Sequence, residues 1–109
     1  MTILLNNDDV AQLITMGECI EALDEAYGDL GRGEGAFRDR LELIGPTQEI
    51  GDFYSLKSVD GLLPNKGVSA LRVVSDIKEI FEVDGRVRRR KIPAAPGARF
   101  VGFVILFSI

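Results

Sequence analysis

Strand-type periodicity fills the middle of the chain, in AFRDRLELIGPTQEIGDFYSLKSVDGLLPNKGVSALRVVSDIKEIFEVDGRVRRRKI, residues 36–92. Short apolar runs there are separated by turn-forming pairs such as Gly45-Pro46, Asp60-Gly61 and Asp84-Gly85. The pattern predicts strands at 37–44, 52–59, 68–77 and 87–92. Residues 79–82 either continue the third strand or open the hairpin that Asp84-Gly85 closes. The most apolar run, 99–108, predicts a last strand at the centre of a sheet of about five strands.

A helical pattern precedes these strands. Residues 2–5 suit a short strand, and Asn6 to Asp9 supply N-cap candidates for a short helical turn. Thr15 and Glu18 have capping-box spacing. An apolar stripe of helical period follows, at Met16, Ile20, Leu23, Tyr27 and Leu30. The sequence therefore predicts one α+β domain over residues 1–109, with a long N-terminal helix packed on a mixed or antiparallel sheet.

Composition excludes several kinds of active site. The 109 residues include no histidine and a single cysteine, Cys19. A Ser-His-Asp or Cys-His catalytic system, a zinc site with His or Cys ligands and an internal disulfide are therefore excluded. One cysteine and a start without signal-peptide features favour a cytoplasmic protein.

The C-terminal segment is apolar to the last residue. Its apolar run at 100–107 is interrupted by Gly102 and is far shorter than the roughly 20 residues of a membrane-spanning helix, so no membrane association is expected. Because domains usually end in polar, frayed segments, this ending favours a polypeptide that is the front part of a longer protein.

Charge is distributed asymmetrically about a net value of −4. Residues 1–35 carry a charge of −7 and residues 72–109 a charge of +4, so the two ends can attract each other within one chain or between two copies. The alternative is two ordinary solvated faces. The basic run at 86–91 is the densest, but a pI near 4.8 and few nearby aromatic residues argue against nucleic-acid binding.

Four cations lie in or next to predicted strands: Arg38, Arg40, Lys57 and Arg72. Because alternate side chains of a strand share a face, several of them can converge and hold a carboxylate. The alternative is that each points into solvent. The glycine-rich run at 31–35 follows a helix and lacks dinucleotide-binding spacing, so it is interpreted as a helix stop.

Three segments resemble the ornithine cyclodeaminase/mu-crystallin family in the same order. They are MTILLNNDDVAQLITMGECIEALDEAYGDLGRGEG, FYSLKSVDGLLPNKGVSALRVVSDI and RRRKIPAAPGARFVGFVILFS. The resemblance implies a substrate and dimerisation domain that, in the longer family members, accompanies a Rossmann domain binding NAD(H) or NADP(H). Their reactions include hydride transfer from an amino acid followed by loss of ammonia.

The resemblance assigns roles to individual residues. Arg40 (or Arg38) matches the arginine that binds the substrate carboxylate. Arg72 stands where the family has a lysine that assists proton transfer, and an arginine is a poor acid–base catalyst. This difference favours a divergent subfamily, with Lys57 as a substitute on the same pocket face. The nucleotide-binding glycines and the catalytic aspartate have no counterparts here, so neither a catalytic nor a cofactor-binding residue is assigned.

Two hypotheses follow. In the first, the chain is the N-terminal portion of such an enzyme and is inactive alone, because hydride transfer depends on a bound cofactor. In the second, it is a free-standing module that binds a small carboxylate or another protein. The second hypothesis predicts a homodimer or higher oligomer, since unpaired sheet edges readily pair with a second copy.

Overall fold

The computed structural model describes residues 1–94, 97 and 101–109 and shows an α+β fold. Two helices precede five strands. In chain order the elements are α1 (Asn7–Leu13), α2 (Met16–Gly31), β1 (Ala36–Pro46), β2 (Asp52–Leu63), a 3-10 turn (Pro64–Lys66), β3 (Val68–Val83), β4 (Arg86–Ile92) and β5 (Val101–Ser108). None of the helices in these described ranges is both long enough and apolar enough to cross a membrane.

Both helices begin at capping boxes, of which the sequence predicts the one at Thr15 and Glu18 and offers only N-cap candidates for the other. The Asn6 side chain accepts hydrogen bonds from the backbone at the start of α1, and the Asp9 carboxylate accepts one from the Asn6 backbone. Thr15 and Glu18 make the same reciprocal pair at the start of α2. Each box satisfies backbone donors that have no partner within the helix. The short strand predicted at 2–5 is not formed, and that segment has no regular secondary structure.

The sheet is antiparallel throughout, and β3 is its central strand. One edge of β3 pairs with β2, which in turn pairs with β1. The other edge is shared by two strands placed end to end, with β5 along Val68–Ser75 and β4 along Ile77–Val83. The prediction that the last strand is central is therefore wrong. In the described residues β5 pairs only with β3, which at 16 residues is long enough to hold two neighbours on one edge.

The two predicted turn signals after β1 have different outcomes. Asp84 and Gly85 both have positive φ (51° and 72°) and form the tight β3–β4 turn, as predicted. Asp60-Gly61 is not a turn, since β2 continues through it to Leu63. Asp60 instead accepts hydrogen bonds from Arg38 on β1, at 2.8 and 2.9 Å from Nε, and this cross-strand pair holds the segment extended.

The expected packing of α2 across the sheet is not seen in the described residues. Met16, Ile20, Leu23 and Tyr27 are between 56 and 75% exposed. The C-terminal end of α2 meets the sheet near Gly35, where an added Cβ would lie 3.1 Å from the Leu63 side chain. The helix is therefore anchored at one end, with its apolar stripe uncovered.

The chain is correspondingly open. Its radius of gyration is 17.6 Å, whereas a compact domain of this length has about 13 Å. Among the described residues no apolar side chain is fully buried, and the buried residues are polar: Asp29, Ser55, Lys57 and Asp76. A domain without a closed apolar core has apolar surface left to cover.

Candidate functional site

The sheet has one face that carries a polar cluster. Register places Glu42 of β1, Lys57 of β2 and Val74 of β3 side by side, and Ser55 opposite Asp76. Because paired residues share a face and alternate residues repeat it, these side chains all lie on one side of the sheet. We call this side the Lys57 face.

A buried ion pair lies at the centre of the Lys57 face. Lys57 donates a hydrogen bond to Asp76 Oδ2, and the two residues are only 7% and 1% exposed. Two further charged groups lie nearby, with Glu42 Oε1 3.9 Å from Lys57 Nζ and Lys91 Nζ 3.8 Å from Asp76 Oδ2. Asp76 Oδ1 is buried and has no hydrogen-bond partner in the described part of the chain. A buried charge of this kind is tolerated only while its counter-ion is present.

Glu42 joins the pair to the neighbouring side chains. It accepts hydrogen bonds from Lys78 and from Ser55 Oγ, the latter at 2.7 Å. The hydrogen bond from Lys78, then that from Ser55, lowers the pKa of Glu42 from 4.5 to about 2. Glu42 is therefore ionised at neutral pH, and the cluster is a network of alternating charges.

The β1–β2 register separates the two candidate arginines of β1. One extra residue between Arg38 and Leu41 forms a bulge, so residues 38 and 40 lie on opposite faces although they are two apart. Arg38 is bound to Asp60, and this hydrogen bonding lowers the pKa of the Asp60 carboxyl. Arg40 is exposed on the Lys57 face, with Nη2 3.9 Å from Glu42 Oε2.

Three of the predicted site residues thus share a face but differ in solvent exposure and in ion pairing. Lys57 is buried and bound to Asp76, so the Asp76 carboxylate already balances the charge of its ammonium group. Arg72 is opposite Val59 and two residues from Val74, which places it on the Lys57 face, and it is exposed. Arg40 and Arg72 are therefore the cations of this set that a solvent-borne anion can reach.

Sequence reasoning missed the carboxylates of the cluster. Glu42 and Asp76 received no role, and nor did Ser55 or Lys78. A usable signal was present, because Ser55-Leu56-Lys57 and Asp76-Ile77-Lys78 each place two polar residues around one apolar residue within a strand. Such alternation indicates a common polar face. Which strands are neighbours, and in what register, was needed to bring the two segments together.

Apart from the Lys57 face, a concave region lies between α2 and the 3-10 turn. It is an open groove of about 670 Å³ lined by α2 residues that include Asp24, Tyr27 and Asp29, and by Lys66. Arg32 Nη2 lies 2.5 Å from Asp29 Oδ1, and Lys66 is bound to Glu25. In the described residues no group of three acidic, histidine or cysteine side chains is placed to hold a metal ion. Of these two ion pairs, Glu25 with Lys66 ties α2 to the 3-10 turn, and Asp29 with Arg32 lies within the end of the helix.

Comparisons with protein-family models, with curated proteins and with solved structures found no match to this chain. The fold defines the class, an α+β domain with an open antiparallel sheet. The resemblance to the ornithine cyclodeaminase/mu-crystallin family stays a prediction from the sequence.

Proposed function

We propose that this chain is a self-associating domain, the substrate and dimerisation part of an ornithine cyclodeaminase/mu-crystallin-like protein, and that alone it has no catalytic activity. The single observation that carries the proposal is the amount of apolar surface left uncovered. The helix stripe defined above is exposed along most of its length. A contiguous apolar surface of this kind marks a contact with another protein.

One side of the sheet is also open to solvent, most of all at its two edges. The face opposite Lys57, which we call the apolar face, carries apolar residues from four strands. Its members by register include Leu43, Leu56, Val73, Ile77, Phe81, Phe103 and Ile105. Leu43 and Phe103 are 68 and 64% exposed. A typical stable interface buries about 1,600 Å² in total, so a stable dimer requires both the helix stripe and this face to be covered.

A second copy is the occupant that fits the predicted fold. The sequence predicts a helix packed across a sheet, and the described residues contain both the helix and the sheet face, with the helix stripe left exposed. Reciprocal packing in a two-fold dimer places each helix stripe on the other copy's sheet and covers both surfaces at once. We also propose that the protein is cytoplasmic, because a single cysteine is typical of proteins from a reducing compartment.

Two matched variants test this proposal. Leu23→Lys places a charge in the exposed stripe, whereas Ala22→Lys places the same side chain on the other side of the same helix and should associate like the unaltered chain. Light scattering is expected to show a monomer for Leu23→Lys and a larger species for the unaltered chain. Equal masses for the unaltered chain and Leu23→Lys would refute a role for the stripe, and a monomeric unaltered chain would refute the whole proposal.

The cofactor prediction has its own test. In the proposed assignment NAD(H) or NADP(H) belongs to a Rossmann domain and not to residues of this chain. Isothermal titration with each nucleotide is expected to give no heat of binding at micromolar concentrations. Micromolar affinity, or turnover of any amino acid or cyclic imine by the purified chain, would contradict the proposal.

Binding of a small carboxylate is a second candidate function. It is favoured by Arg72, which is exposed on the Lys57 face and has no ion pair within the described part of the chain. Arg40 on the same face has only a distant carboxylate neighbour. Chemical shifts of the Arg72 and Arg40 side chains are expected to move on addition of propionate or glutarate and not of the matching amides. If propionate moves the Arg40 side-chain shifts of Arg72→Gln as much as those of the unaltered chain, a site shared by the two arginines is refuted.

A further inference from the structure

We propose that α2 of one copy docks on the apolar face of a second copy beside β4, guided by opposite charges, and that the contact is reciprocal. The inference rests on the self-association proposed above and adds the surfaces that meet. The first observation that supports it is the opposite charge of the two elements. The segment of α2 carries five acidic residues and no basic one, and the segment of β4 carries five basic residues and no acidic one.

Only some of the basic side chains of β4 form ion pairs within the described part of the chain. On β4, Arg90 is bound to Glu79, and Lys91 lies 3.8 Å from Asp76. Arg86, Arg88 and Arg89 form no ion pair in the described part of the chain and are exposed. Opposite charges that remain unpaired on two exposed elements favour contact between those elements.

The acidic side chains of α2 also divide into paired and unpaired ones. Glu25 is bound to Lys66, Asp29 to Arg32, and Glu18 caps the helix. Glu21 and Asp24 are exposed and form no ion pair among residues 1–94, 97 and 101–109. Both helix and strand therefore keep charges that are free for a partner.

The free charges border the apolar surfaces. Arg86 and Arg88 pair with Val83 and Phe81, so they lie on the apolar face at its β4 margin. On α2, Asp24 precedes Tyr27 by three residues and is a surface neighbour of the apolar stripe. When the stripe packs on the apolar face, the acidic flank of the helix can lie along the arginines of β4. This order of apolar centre and charged rim is typical of protein interfaces.

Chain geometry excludes the same contact within one copy. Glu25 is held by Lys66, just before β3 begins, whereas Arg88 is opposite Phe81, thirteen residues further along β3 than Val68. At about 3.3 Å per residue those positions are about 43 Å apart. The whole of α2, 16 residues at about 1.5 Å each, is about 24 Å long. Its acidic flank cannot reach Arg88 of its own chain, so the occupant is a second copy.

Complementary charge reversal tests the inference. Glu21→Lys/Asp24→Lys and Arg86→Glu/Arg88→Glu are each expected to weaken self-association by about tenfold or more, because like charges then meet. An equimolar mixture of the two is expected to form a heterodimer with higher affinity than either homodimer, because both of its reciprocal contacts again join opposite charges. Glu49→Lys, in the loop between β1 and β2, is the matched control and should associate like the unaltered chain.

The outcomes separate this inference from the proposed function. If both variants associate as the unaltered chain does, or if the mixture is no tighter than the variants alone, the α2–β4 contact is wrong while self-association stands. If β4 instead binds a polyanion, only Arg86→Glu/Arg88→Glu loses that binding, and the affinity of the dimer is unchanged. This outcome also overturns the inference. Folding of each variant is checked by circular dichroism.

Salt provides a test without substitutions. Raising the salt concentration from about 0.1 to about 1 M shortens the screening length from about 10 to about 3 Å. The unaltered dimer is expected to dissociate more readily at the higher concentration. A dimer that is equally tight or tighter at high salt would contradict a charged rim.

Discussion

Lys57 on β2 and Asp76 on β3 form an ion pair across the sheet with both residues almost fully buried. In the described residues this pair and its neighbours occupy the place that an apolar core holds in most domains of this size. Burying two charges costs free energy that their attraction has to offset. The pair therefore ties the stability of β2 and β3 to the presence of both partners.

Removal of one partner is expected to be costly. Asp76→Ala leaves the Lys57 ammonium buried without its main counter-ion, and the free energy of unfolding should fall by about 3 kcal/mol. Urea unfolding at one fixed protein concentration measures this, since association adds to apparent stability. The double variant Lys57→Met/Asp76→Leu should recover most of the loss. A single variant as stable as the unaltered chain would show that the pair is not buried in solution.

Acid is expected to weaken the fold through Glu42. Its pKa is about 2 in the folded chain against 4.5 for the ordinary group, so the folded state binds this proton less readily than the unfolded state. The stabilisation is then complete above pH 4.5 and is lost as the pH falls towards 2. Asp60, whose pKa is lowered by the hydrogen bond from Arg38, acts in the same direction.

Glu42→Gln isolates this contribution. Urea midpoints measured between neutral pH and pH 2 should fall less steeply below pH 4.5 for Glu42→Gln than for the unaltered chain. Glu49→Gln, in the loop between β1 and β2, is the control and should leave the slope unchanged. Parallel slopes for Glu42→Gln and the unaltered chain would mean that Glu42 has an ordinary pKa.

The β3–β4 turn gives a prediction about backbone conformation. Gly85 has a φ of 72°, so Gly85→Ala forces an alanine into the left-handed region and should cost about 1 kcal/mol of unfolding free energy. Asp84→Asn keeps a residue that tolerates positive φ and should change stability little. Thermal unfolding of both variants measures the difference. A Gly85→Ala chain as stable as Asp84→Asn would argue against this turn type.

The start of α2 offers a further check. Thr15→Ala removes the acceptor for the Glu18 backbone N–H and should lower the free energy of unfolding by about 1 kcal/mol. Thr15→Ser keeps the hydroxyl and is the matched control. Because the described part of the chain anchors α2 only at its C-terminal end, helix content by circular dichroism should fall with stability. No difference between the two variants would mean that the cap does not form.

Local signals in the sequence predicted much of the fold, and long-range pairing was the part they did not contain. Capping at Asn6 and Thr15 and the turn at Asp84-Gly85 depend on residues within a few positions of each other. The Asp60-Gly61 pair has the composition of a turn, but its partner Arg38 is 22 residues away and holds it in a strand.

The candidate site shows the same limit. Period-two spacing correctly indicated that strand residues would share faces, yet Arg38 and Arg40 lie on opposite faces because of a bulge that composition does not reveal. The position of β5 at an edge depends on the length of β3. The Lys57–Asp76 pair depends on the β2–β3 register, which no segment specifies alone.

Sedimentation equilibrium of the unaltered chain tests the central claim of self-association most directly. Run from low to high micromolar concentration at moderate salt, it is expected to give a mass approaching at least twice 11.9 kDa. A mass of 11.9 kDa at every concentration would contradict the account, because the α2 stripe and the apolar face would then remain uncovered in a stable monomer.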